Sequence, residues 1–176
     1  MAKFSELITY FENLARSHKD ILHSDNEKHF FRMEIDEVLA GINRTDVKYP
    51  MLILEGYGFG FTDNRSDNLI KNREGAFILL DHISDISNHN LIHEKWDEME
   101  EIATEILLKI KSDKRNPLTP AVRDFEFDTV NASLLLNEFG NDVGIRITYN
   151  ISSPVINEIN PEKWIEEETT PEESTP

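Results

Sequence analysis

The clearest pattern in the chain is a strict alternation of apolar and polar residues over positions 143–151. A period of two is typical of a strand with one buried face and one wetter face. Residues 125–136 form a second strand candidate, and the turn-forming residues 137–142 join the two into a predicted antiparallel hairpin. Because the apolar positions of the first arm change parity, we expect a one-residue bulge near Val130 and Asn131.

Two other stretches carry apolar residues at the three- and four-residue steps of an amphipathic helix. The first covers the N-terminal twenty residues. The second begins after Asn88 or Asn90, either of which can cap it, and ends before Pro117. Acidic residues near its start and lysines near its end match the helix dipole. Residues 30–42 predict a further short helix, an interpretation that we prefer to a strand.

The middle of the chain is rich in predicted strands. Residues 51–54 and 75–80 are continuous apolar runs, as in strands that are covered on both sides. The first run continues into residues 55–61, where aromatic side chains alternate with glycines, so we expect the glycine face of this same strand to be closely approached by another backbone or ring. Residues 62–73 predict a polar loop that is longer than a hairpin needs, and long loops are often functional.

This order of elements indicates one α+β domain over residues 1–160. We expect an antiparallel or mixed sheet of about four strands, with helices packed on one face. Residues 161–176 carry six Glu and little apolar surface, so this acidic tail is predicted to be largely disordered. Trp164 and Ile165 are a large apolar pair within it, and we expect them to dock on the domain or on an adjacent subunit.

Composition narrows the functional classes. The 176 residues include no cysteine, which excludes thiol catalysis, disulfides and thiolate zinc sites. A formal net charge of −16 repels phosphate backbones, so no sequence-specific nucleic-acid binding is expected. We find neither a secretion signal nor an apolar run long enough to span a bilayer. We therefore expect a protein that is made in the cytoplasm and has no membrane partner.

The best enzyme-like constellation consists of His89 and His93, to which Asp85 or Asp81 could add an oxygen ligand. A spacing of four places two imidazoles on one face of a helix, where a carboxylate can complete a metal site. The same residue types are also ordinary in a strand-to-helix connection, and no zinc-protease, nucleophile-elbow or phosphate-loop motif is present. We therefore predict no metal, no cofactor and no catalytic residue, and keep a metal-dependent enzyme as an alternative.

Several short motifs resemble a known group of proteins. They are Phe30-Phe31-Arg32, the segment YPMLILE at 49–55, FILL at 77–80, the long helix, and NDVGIRITYNISSP at 141–154. In this order they resemble the small neck and tail-completion proteins of tailed bacteriophages, the tail-terminator-like group. Ile145 stands where that group carries an aromatic residue.

The resemblance implies a virion structural protein without an active site, a ring-forming homo-oligomer at the head-to-tail junction or the tail end. Its partners would be copies of itself and neighbouring neck or tail proteins, and DNA would only pass through the channel. A cytoplasmic adaptor that binds a protein through the glycine-aromatic strand is a further alternative. The residues that we expect at subunit contacts are Asp63, Arg65, Asp67, Lys71 and Arg73 of the polar loop, together with Trp164 and Ile165.

Overall fold

The computed structural model describes residues 3–32, 47–63, 65, 69–136, 141–155 and 158–164. These residues form an α+β fold with two α-helices and a mixed sheet of six strands. The helices are α1 (Phe4–Ser17) and α2 (His89–Asp113). The strands are β1 (Lys28–Phe31), β2 (Val47–Leu54), β3 (Gly58–Asp63), β4 (Leu69–His82), β5 (Phe125–Leu136) and β6 (Asp142–Pro154).

The strand order is β1-β2-β4-β6-β5, with β3 beside β2 on the same side of β4. Strand β1 runs parallel to β2, and the other neighbouring strands are antiparallel. Strand β2 pairs with residues 77–80 of β4, whereas β3 pairs with residues 69–74. We call β3 and residues 69–74 together the arm. The arm and β5 lie at opposite edges of the sheet.

Both helices pack on one face of the sheet, as predicted. Buried residues of α1 and α2 join a single apolar cluster with alternate side chains of the central strands. We call this side the helix face, and its strand residues are Leu52, Leu54, Phe77, Leu79, Ile145, Ile147, Tyr149 and Ile151. Phe11 of α1 lies 5.4 Å from Phe77, ring centroid to ring centroid. A smaller buried cluster occupies the opposite face, formed by Met51, Ile53, Ile78 and Leu80.

The predicted hairpin and helix cap are confirmed, but the predicted one-residue bulge near Val130 and Asn131 was too small. From Glu126 to Asn131 the chain advances five residues along β5, whereas the paired residues Asn150 and Thr148 are only two apart on β6, so β5 carries three extra residues. Strands β5 and β6 pair antiparallel, and their register shifts between Glu126 and Asn131. The side chain of Asn88 accepts a hydrogen bond from the amide of Leu91 at the start of α2. The predicted hairpin turn and the tail from Ile165 onward fall outside the described residues, except for Asn141 and Asp142.

The prediction of about four strands was wrong, because β1 was not predicted and the single strand predicted over residues 51–61 is divided into β2 and β3. Strand β1 has only four residues, and it includes Phe30 and Phe31, which we had assigned to a helix. The remainder of that predicted helix, residues 33–42, lies outside the described residues. The sixth strand arises because residues 55–57 interrupt the pairing and separate β2 from β3.

The prediction of a long polar loop over residues 62–73 was also wrong. Thr62 and Asp63 end β3, and β4 begins at Leu69. The polar sequence is compatible with strands here because β3 is exposed along its whole length, so it needs no apolar face. Pairing of residues 69–74 with both β3 and β6 supplies the order that the sequence pattern does not reveal.

Candidate assembly surfaces

The arm carries an exposed pair of aromatic side chains. Phe59 and Phe61 of β3 are 60% and 55% exposed, and their rings meet edge to face with centroids 6.0 Å apart. They lie opposite Arg73 and Lys71 of β4. Because residues directly opposite in an antiparallel pair share a face, both rings lie on the side of the sheet that holds the helices. Two neighbouring exposed phenylalanines on an edge strand form an apolar contact surface.

Local hydrogen bonds hold the arm in its extended form. The Nδ2 of Asn72 donates to Oγ1 of Thr62 at 2.7 Å across the two strands. At the end of β3, Oδ1 of Asp63 accepts from the amide of Arg65 at 2.7 Å, and Arg65 adopts the left-handed φ of 62°. An Asx-type contact of this kind favours a tight reversal of the chain. The aromatic pair is therefore presented on two paired strands.

The predicted contact residues of this region occupy different environments. Lys71 lies beside the aromatic pair, with Nζ 3.8 Å from the centroid of the Phe59 ring. Arg73 is buried, with its guanidinium carbon 5.6 Å from the centroid of the Tyr57 ring. Asp63 and Arg65 lie at the tip, and Asp67 falls outside the described residues. Lys71 is thus the cation best placed to accompany the aromatic pair, whereas Arg73 supports the base of the arm.

A bidentate ion pair lies where the arm leaves the sheet. The Nη2 of Arg146 donates to Oε2 of Glu55 at 2.6 Å, and its Nε lies 3.2 Å from both carboxylate oxygens. The hydrogen bonds that Arg146 donates to the carboxylate of Glu55 raise the pKa of Arg146. Glu55 begins the interruption between β2 and β3, and Arg146 belongs to β6. The pair therefore ties the start of the arm to a central strand.

A groove of about 340 Å³ opens at the other edge of the sheet, between α2 and β5. Its walls are Glu100, Ala103, Thr104 and Leu107 of α2 and Ala132 and Leu134 of β5, above Ile145 and Ile147 of β6. Leu134 is 52% exposed and Leu136 is 42% exposed. The indole N–H of Trp96 donates to the carbonyl of Leu135 at 2.9 Å, which covers one end of the β5 edge. The small side chains Ala103, Thr104 and Ala132 leave room for an apolar group.

The candidate metal ligands lie at the start of α2 but do not form a cluster. Ser87 donates from its amide and its hydroxyl to Oδ1 of Asp85, and these hydrogen bonds lower the pKa of that carboxyl. His89 and His93 are both in the helix and exposed. The ring of His93 stacks on Trp96, with centroids 5.9 Å apart. Asp85 is accordingly engaged in turn formation and His93 in surface packing.

Only one group of three potential metal ligands, His18, Asp20 and Glu105, has donor atoms within 4.8 Å of one another in the described ranges. The Nε2 of His18 lies 3.0 Å from Oε2 of Glu105. Asp20 and Glu105 are exposed, so the group has the character of a surface ion pair, and we assign no metal to it. No sequence spacing could reveal this group, because α1 and α2 come together only in the fold.

The predicted docking pair of the tail is described only in part. Trp164 is 69% exposed in the single chain and Ile159 is 77% exposed, whereas Ile165 lies outside the described residues. The segment before Trp164 forms a short 3-10 turn over Pro161–Lys163, which the side chain of Asn160 caps. Docking of Trp164 on an adjacent subunit therefore stays a prediction.

Comparisons with known protein families and with curated proteins found no match for this sequence. Within the described ranges, no helix combines the length and the apolar character that crossing a bilayer requires.

Proposed function

We propose that this chain is a structural subunit of a tailed-bacteriophage virion that assembles into a ring in the neck or at the end of the tail. The observation that carries the proposal is the pair of unlike surfaces at opposite edges of one sheet. The arm presents Phe59 and Phe61, and the groove at β5 presents Leu134. Unlike surfaces that complement each other join copies head to tail, and such contacts generate rings when the rotation closes.

The phage assignment is supported by the positions of the motifs that resemble the tail-completion group. Residues 49–55 lie mainly in β2, residues 77–80 lie in β4, and residues 141–154 lie mainly in β6. These three strands are neighbours in the middle of the sheet. The resemblance therefore involves the part of the chain that defines the sheet, and not scattered surface segments.

Charge is consistent with a channel-lining role. The net charge of −16 makes the protein surface repel the phosphates of DNA. A ring through which DNA passes benefits from such repulsion, because an acidic wall makes no stable contacts with the phosphate backbone. Assembly through apolar contacts, as the exposed phenylalanines offer, does not depend on neutralising this charge.

The proposal is tested in two steps. Native mass spectrometry and negative-stain electron microscopy of the purified full chain should show closed rings with a central channel. Mass spectrometry of purified particles of the phage whose genome encodes the chain should then detect it in a few copies per particle. Leu118→Ser is a matched control for surface mutations, because Leu118 is exposed and lies outside both the arm and the groove. It should leave ring formation unchanged.

Two results would contradict the proposal. Absence of the chain from purified particles would exclude a virion protein. A chain that stays monomeric at all concentrations, and that captures one heterologous protein through the arm, would instead support the adaptor alternative.

A further inference from the structure

We propose that the arm of one copy docks in the groove between α2 and β5 of the next copy, with Phe59 and Phe61 contacting the groove walls. This inference rests on the proposed ring, for which it names the two contacting surfaces. Each copy contributes one arm and one groove, so the contact repeats around the assembly without using the same patch twice.

The two surfaces lie on the same side of the sheet. Phe61 is opposite Lys71, Lys71 is opposite Ser153, and the alternation along β6 places them with the helix-face residues. Leu134 is opposite Ile145, a helix-face residue. If β3 of one copy is placed beside β5 of the next, with the helix faces of both sheets on the same side, Phe59 and Phe61 point toward the groove between α2 and β5. The glycines of β3 then point to the opposite side. The sheet of one copy then continues into the sheet of the next.

The chemistry of the two surfaces matches. Two rings that are more than half exposed gain free energy when they leave water, and the groove offers apolar walls with small residues between them. Leu134, which lines the groove, is 52% exposed. Burial of both sets in one contact removes apolar surface from each partner.

The charges at the two surfaces are also complementary. Lys71 lies directly beside Phe59 on the arm. Glu100 lines the groove, and the sequence of α2 around it is acidic, with Asp97, Glu98 and Glu101. An arm entering the groove brings the ammonium of Lys71 toward these carboxylates. In a strongly acidic protein this attraction selects the arm over other surfaces of a second copy.

The first experiment uses the absence of native cysteine. We introduce Gly60→Cys on β3 and Ser133→Cys on β5 in separate chains, mix them, and add a short bismaleimide. Both positions face the side opposite the helices, and an added Cβ at Gly60 meets no atom of the described residues within 4 Å. We expect covalent dimers in the mixture and none from either variant alone. Dimers from Gly60→Cys alone would overturn the inference, because they would indicate arm-to-arm contact.

The second experiment identifies the occupant of the groove. Phe59→Ser with Phe61→Ser should raise the Kd of self-association by at least about tenfold, as is usual for buried interface aromatics. Leu134→Glu should have the same effect, whereas Leu118→Ser should have none. If Trp164→Ala abolishes association while the double serine variant retains it, the tail and not the arm fills the groove, and the inference is wrong.

A charge exchange tests the orientation. Lys71→Glu and Glu100→Lys should each weaken self-association, and the double variant should recover at least part of the lost affinity. Because all these variants change exposed or half-exposed side chains, circular dichroism should show unchanged folding. Rings that form without the mixed cross-link would overturn this inference and leave the proposed function standing. Cross-linked rings of a chain that is absent from phage particles would support this inference and overturn the proposed function.

Discussion

Gly144→Ala should destabilise the protein strongly, because a side chain at this position would meet the backbone of the neighbouring strand β4. A Cβ at Gly144 would lie 2.1 Å from the carbonyl oxygen of Leu79 and 2.5 Å from Cδ2 of Leu80. The nearest atom belongs to the backbone of β4, which pairs with β6 over thirteen residue pairs and cannot rotate away. Restoring ordinary contact would require a displacement of roughly 1 Å.

Overpacking of a close-packed core typically costs about 1–3 kcal/mol, and a clash with a backbone atom belongs at the upper end of that range. For a chain of this size, 1 kcal/mol lowers the melting temperature by roughly 2–4 °C. We therefore expect a decrease of about 4–12 °C for Gly144→Ala, measured by differential scanning calorimetry.

Gly60→Ala is the matched control, because it is the same substitution in a strand with open space. The loss of unfolded-state entropy is similar for both variants, so the difference between them isolates the clash. We expect Gly60→Ala to be neutral or to stabilise by about 0.5–1 kcal/mol. A melting temperature for Gly144→Ala equal to that of Gly60→Ala would refute the packing described for β4 and β6.

Three further predictions concern buried polar groups. The Tyr149 hydroxyl is buried without a hydrogen-bond partner among the described residues, so Tyr149→Phe should stabilise by about 1–3 kcal/mol, and a lower melting temperature would contradict this. Glu55→Gln leaves half-buried Arg146 without its bidentate partner, so the free energy of unfolding, measured with urea, should fall by about 1–2 kcal/mol. An unfolding midpoint equal to that of the wild type at low and at high salt would disprove this. Burial and a hydrogen bond to Asp113 raise the pKa of Tyr10 above its ordinary value of 10.0. The stabilising contribution of neutral Tyr10 is present below pH 10 and is lost as the pH rises above it. Tyr10→Phe should therefore reduce the slope with which the free energy of unfolding falls at alkaline pH. An unchanged slope would show that Tyr10 does not cause the fall.

The prediction for the glycines that alternate with aromatic residues was wrong. We had expected another backbone or ring to approach the glycines at 56, 58 and 60, yet an added Cβ at each of them meets no described atom within 4 Å. The close approaches occur instead at Gly144 and at Gly75, where the ring of Tyr149 lies against the backbone. Glycine in a strand indicates that space is needed somewhere, but sequence spacing does not say which partner needs it.

The sequence alone determined those elements whose periodicity extends over several turns or residue pairs. The apolar stripes of α1 and α2, the alternation of β6 and the parity change in β5 each require one face to be buried. They predicted the α+β class and an irregularity in β5 correctly, but parity does not distinguish the expected one extra residue from the three that are present. The cap at Asn88 was also readable, because a side chain that bonds the first turn acts within three residues.

Tertiary structure alone decided the edges of the sheet and the surfaces that they leave exposed. The polar strands of the arm are held by pairing with neighbours, and pairing partners leave no mark on local sequence. Leu134 has the alternation of a buried residue, but α2 covers β6 rather than β5, so the same pattern ends beside an open groove. Whether a residue is buried depends on how far the neighbouring element extends over it. The extent of that element is set when the helices and the sheet pack together, and the periodicity of one strand does not reveal it.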